Sequence, residues 1–263
     1  GLPKPLCRRN PMGDVSLETL IPILAIYLLA GFSKGIVGLG LPTIGIALAT
    51  IFVGLDTALA YATLPVVLTN LYQALVGGHF TIVWRRTWPM MLIAALFTAM
   101  ATGLFTLVDQ NVLTIFLGTI LIVYSALTLK TITLSPPGRH DVWISPIIGA
   151  VTGIVTGITG SSVVPGVLYL QSLNLPRDAF VQSLGILFTV TYIGLIVGLD
   201  HHDILTGQVL GVSAIAIIPA LIGMTLGMRI RRRIPEDQFR TVFLLVILLL
   251  GVYLFLRSLW RFL

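Results

Sequence analysis

Long apolar stretches separated by short polar breaks run from about Leu17 to Phe32, Ile36 to Val53, Thr57 to Val76, Pro89 to Val108 and Val112 to Leu129. A polar linker follows, Ser135-Pro136-Pro137-Gly138-Arg139-His140-Asp141. The pattern then resumes from about Trp143 to Val155, Ile158 to Leu173, Ala179 to Leu199, Val209 to Met228 and Phe239 to Leu256. Stretches of this length and polarity predict membrane helices, so the expected fold class is all-α and polytopic, with about five helices in each half. The halves also agree in sequence. Gly31, Gly35, Gly38 and Gly40 ahead of Pro42 are echoed by Gly153, Gly157 and Gly160 ahead of Pro165, and the run Val108 to Phe116 lines up with Ile234 to Phe243. An internal duplication accounts for both matches. Helix breakers that interrupt apolar stretches at corresponding places in two halves point to a transporter binding site near the bilayer midplane.

Composition agrees with the pattern. The chain has 263 residues, 56% hydrophobic and 10% charged, with a mean hydropathy of +1.01, which marks an integral, multi-pass membrane protein in contact with lipid. Its formal net charge of +6 comes from arginines in short loops and at chain ends, where they orient spans, so no nucleic-acid partner is expected. The single cysteine, Cys7, excludes an internal disulfide and a cysteine-based metal site. Residues 1–11 read as an added or disordered segment ahead of a natural start at Met12. No small-residue cleavage site follows, and the first apolar stretch is expected to be retained.

Lysine and arginine favour the cytoplasmic side. Placing Arg85 and Arg86 inside puts Asp109 outside, Lys130 and Arg139 inside, Asp200-His201-His202-Asp203 outside, and Arg229 and Arg231 to Arg233 inside. This order requires the first two stretches of each half to make no net crossing, so the later spans run in opposite senses in the two halves. The expectation is two inverted repeats, residues 12–134 and 142–263, joined by the linker 135–141. Asp14 and Glu18 then fall outside, as do Arg257 and Arg261, the last two against the charge rule. Trp88, Trp143, Trp260 and Tyr253 lie near span ends, as interfacial aromatics do.

The first two stretches of each half are short, about 16 to 18 residues, and a hairpin of helices with a Gly-rich tip is expected in each. The turns are placed at Ser33-Lys34-Gly35 and Thr156-Gly157, with a second helix starting at the glycines and broken by Pro42 or Pro165. Free N–H groups and the positive dipole end at a helix start favour an anion. Glycine lets a ligand approach the backbone. The candidate substrate-binding residues are therefore Lys34, Gly35, Gly38 and Gly40 in the first half and Gly157, Thr159, Gly160, Ser161 and Ser162 in the second. Asn70 and Gln73, which share a helical face, and Gln182 are added as polar residues within spans. Simple alternatives stand beside these roles: glycines for close helix packing, Lys34 snorkelling to an interface, and the amides bonding between helices. The histidines read as surface residues, Asp56 as a helix cap, and no metal or cofactor site is expected. An enzyme is not expected either, since H-E-x-x-H and G-x-S-x-G are missing and no acid or histidine lies deep in a span.

The paired motifs Gly35-x-x-Gly38-x-Gly40-x-Pro42 and Gly157-x-x-Gly160-Ser161-Ser162-x-x-Pro165 resemble those of the TauE/SafE family of sulfite and organosulfonate permeases, over nearly the whole chain from about Met12. The resemblance implies a secondary transporter of the bacterial inner membrane that exports a small sulfur oxyanion such as sulfite, sulfoacetate or a related sulfonate. The expected mechanism is alternating access, with one anion held between the two hairpin tips. Proton or sodium as coupling ion, the oligomeric state, and re-entrant against fully spanning hairpins are left open by the sequence. The competing classes are a passive anion channel with the same lining and a membrane structural or regulatory subunit.

Overall fold

The computed structural model describes residues 17–130, 136–231 and 236–261. The N-terminal segment 1–11, Asp14, Ser135 and Arg232 to Pro235 lie outside the described residues. Among the described residues each half holds five principal helices, and a single further turn, Leu104–Leu107, follows the fourth helix of the first half. The first half holds α1 (Leu17–Val37), α2 (Leu41–Val53), α3 (Leu55–Leu75), α4 (Phe80–Ala101) and α5 (Gln110–Leu129). The second holds α6 (Asp141–Thr159), α7 (Val163–Ser172), α8 (Arg177–His201), α9 (Gly207–Ile230) and α10 (Glu236–Trp260). Among the described residues, eight are long and apolar enough to cross a membrane. The other two, α2 and α7, reach only about 15–20 Å at 1.5 Å per residue, short of a hydrocarbon core about 30 Å thick. The chain is a multi-pass helical membrane protein.

Local chemistry sets several boundaries. Asp109 caps α5 by accepting from Asn111 N, and Thr206 caps α9 by accepting from Val209 N. Asp56, expected as a cap, lies in the first turn of α3, where it accepts from Thr57 N at 2.6 Å. Pro65 interrupts the bonding of α3 where it has no N–H to give. Ser213 of α9 repairs the gap: its hydroxyl donates to Tyr61 O at 3.0 Å and accepts from Leu64 N at 3.1 Å. In a membrane interior such a substitute is what makes an interrupted helix tolerable.

The two halves interlock. α1 lies parallel to α9, with a Cβ built at Gly35 falling 2.2 Å from Met224 O. α6 lies parallel to α4 in the same way, with a Cβ at Gly157 falling 2.7 Å from Thr98 O. Only glycine permits helix backbones to approach so closely, which is the packing expected between membrane helices. α3 crosses α8 antiparallel, since Gln73 reaches Val181 and Gly185 abuts Asn70 and Ala74. α5 and α10 also pack antiparallel, around Gly118 and Gly251.

The breaks fall later than the sequence suggested. Ser33-Lys34-Gly35 is helical, and α1 continues to Val37 before Gly38 and Gly40 turn the chain. Thr156-Gly157 is likewise inside α6, which continues to Thr159 and ends at Gly160. The first helix of each half is therefore full-length, and only the second is short.

Candidate functional site

At the first break Gly38 N bonds to Lys34 O at 2.8 Å, closing the last turn of α1, and Gly38 then takes φ +83°. Gly40, at φ +146°, folds back beside α1, where a Cβ would stand 3.0 Å from both Ala30 O and Lys34 N. Both conformations favour glycine on steric grounds. Leu41 and Pro42 open α2, and Pro42 sits in its first turn, where the missing N–H has no helical acceptor to leave empty.

Lys34 lies just below this break. Its side chain is 2% exposed, and it is the only lysine, arginine, aspartate or glutamate in the buried set of the described residues. Its ammonium donates to the amide oxygen of Asn70 on α3, and no described carboxylate stands within ion-pair distance. Asn70 is fixed in turn, because its amide nitrogen donates to Val66 O at 2.8 Å. Gln73 donates to Val181 O at 2.6 Å and approaches Gly38 O at 3.5 Å. The structure thus brings together Lys34, Gly38, Gly40, Asn70 and Gln73. Gln182 stands close by but is committed elsewhere: it donates to Ala74 O at 2.7 Å and accepts from His79 N at 2.8 Å.

The second break has a different lining. Gly160 takes φ +70° and Gly160 N bonds to Thr156 O at 2.7 Å. Thr156 and Ser162 share a hydroxyl contact of 2.7 Å, and Ser162 continues to Thr191 of α8 at 3.3 Å. Tyr192 donates to Gly160 O at 2.9 Å. Thr159 donates to Val155 O at 2.7 Å and accepts from Ser161 N at 3.1 Å. Ser161 is 0% exposed, and its hydroxyl has no partner. Pro165 falls within the opening turn of α7, at the irregular Val164.

The two linings meet α3 at different levels. A Cβ at Gly160 would lie 2.1 Å from Leu59 on α3, whereas Lys34 is held by Asn70 further along the same helix. Eleven residues of helix separate these contacts by about 16 Å. The two breaks are termed a first station, at Lys34, and a second, at Ser161. Gly35 and Gly157, placed in the site by spacing, pack closely against α9 and α4. Two buried polar residues near these breaks were not singled out from the sequence. Thr191 offered only a hydroxyl in an apolar run. Tyr27, 0% exposed with an unpartnered hydroxyl and packed near Gly45 at the start of α2, offered only a phenol in the first stretch.

A family model described as Sulfite exporter TauE/SafE matches residues 23–254, most of the chain and both stations. No curated protein and no solved structure matches.

Proposed function

The chain belongs to the Sulfite exporter TauE/SafE family, and we propose that it is a secondary transporter that exports a small sulfur oxyanion, sulfite or an organosulfonate, across the bacterial inner membrane by alternating access. The observation that carries this reading is Lys34: a buried ammonium at the end of a full-length helix, bonded to a neutral amide and without an acidic partner among the described residues. A cation in that setting is costly unless an anion joins it. Gly38 and Gly40 open the backbone beside it, and the start of α2 adds a positive dipole end.

The second station supplies neutral donors, Ser161 foremost, at the start of α7. An oxyanion leaving Lys34 would find hydroxyls there without a full charge to hold it, which favours release. The helix directions support an inverted repeat in which α1 to α5 correspond to α6 to α10. Equivalent helices α3 with α8 and α5 with α10 run antiparallel, and the α1–α9 pairing is repeated by α6–α4. In this reading α2 and α7 are re-entrant, each turning back to the face its hairpin entered from, and one repeat rocks against the other.

Purified protein in proteoliposomes tests the reading. Saturable sulfite flux, driven uphill by an imposed pH or sodium gradient and competed by a sulfonate more than by chloride, is expected. Flux that runs only downhill contradicts alternating access in favour of a channel, and no anion flux contradicts transport itself.

A further inference from the structure

In the re-entrant reading each half-length helix ends toward a membrane face, and its last carbonyl groups lack helical partners. On α7 that end is Leu173, whose carbonyl accepts from Arg86 of α4 at 3.4 Å. On α2 it is the last turn before Val53, where the Ile51 carbonyl accepts from Arg257 of α10 at 3.2 Å. The two arginines stand at opposite faces of the molecule. Arg86 lies in the second turn of α4, whereas Gly54, directly after α2, lies against Gln110, beyond the other end of α4. The fifteen residues of α4 from Arg86 to Ala101 alone span about 22 Å. A guanidinium at a helix C-terminus is favoured twice, by the free carbonyls and by the negative end of the dipole.

Their surroundings differ. Arg86 also faces Asp141 at the head of α6, at 3.9 Å, and Asp141 accepts a hydrogen bond from Tyr169 of α7. Both arms of the second hairpin are thereby tied to α4. Arg257 has the ring of Tyr253 at 5.9 Å and no described acid. The charge-based orientation puts Arg257 outside against the rule, and the end of α2 gives a physical reason for a cation there, since it presents carbonyls to the guanidinium.

We propose that Arg86 and Arg257 are positioning residues that latch α7 and α2 at the inner and outer faces, and that release of one latch at a time exposes the corresponding station to that face. The described structure, with both latches closed and Lys34 and Ser161 buried, is then the occluded state. This inference rests on the alternating-access reading, but its test does not require transport.

In a Cys7→Ser background, single cysteines replacing Ser161 or Leu39, a buried residue of the first tip, are labelled with a membrane-impermeant thiol reagent from either side of oriented vesicles. Arg86→Gln is expected to speed labelling at position 161 from the inner face by about tenfold and leave position 39 unchanged. Arg257→Gln is expected to do the same at position 39 from the outer face only. Asp141→Asn should give a smaller inner-face increase, and Arg→Lys at either latch should restore most of the protection. Equal increases at both reporters in either variant, or no increase, overturn the latch. A latch that behaves as expected in a protein without anion flux would leave the latch standing and remove the transport reading.

Discussion

Lys34 on α1 and Asn70 on α3 are joined by a buried hydrogen bond that leaves the ammonium without a counter-ion among the described residues. The bond fixes the charge beside the Gly38–Gly40 break while leaving it uncompensated, which is the condition under which an incoming anion gains most.

Replacing Asn70 separates charge from position. Asn70→Asp supplies an internal carboxylate and is expected to cut anion affinity by about tenfold or more while keeping thermal stability in detergent. Asn70→Ala is expected to lower stability, because both the ammonium and Val66 O lose a partner, with a smaller effect on affinity. Substrate dependence of flux, read beside melting curves, checks the pair.

Ser161 and Ser162 are adjacent but bonded differently, and their alanine variants should diverge. Ser162→Ala breaks the Thr156–Ser162–Thr191 chain and is expected to cost about 1 kcal/mol of stability. Ser161→Ala removes an unpartnered buried hydroxyl, so stability is expected to hold while apparent anion affinity falls by about three- to tenfold. Melting temperatures and half-saturation values of the two variants decide this.

Ser213→Ala should uncover the break at Pro65. With Tyr61 O and Leu64 N both left without its hydroxyl, a loss of about 1–3 kcal/mol is expected, and threonine should recover part of it. Unfolding measured in detergent is the check.

Glycine substitutions should sort by what lies beside them. Gly35→Ala drives a Cβ toward Met224 O and is expected to cost about 1–3 kcal/mol, whereas Gly211→Ala, with nothing within 4 Å, is expected to be neutral or slightly stabilising. The same melting assay distinguishes them.

Helix type and approximate number were legible in the sequence because a hydrocarbon core demands long apolar helices and punishes charge. The glycine pairs were legible because their repetition in the two halves is improbable without a shared constraint. The exact turns were not. Ser33 and Lys34 look like turn residues by polarity, yet α1 continues through them because a residue on α3 receives the lysine. Gln182 looked like a free amide in a span, but both its ends serve backbone brought close only by the α3–α8 crossing. Gly35 shows the same limit from the other side, since spacing cannot say whether the space above a glycine holds a ligand or a neighbouring helix.

The most direct test of the central claim is labelled sulfite flux into proteoliposomes containing the native protein or Lys34→Gln, reconstituted at equal density and matched for folding by size-exclusion profile. The account predicts saturable flux for the native protein and a loss of about tenfold or more for the variant. Equal flux from both would contradict the assignment of Lys34 as the anion's charged partner.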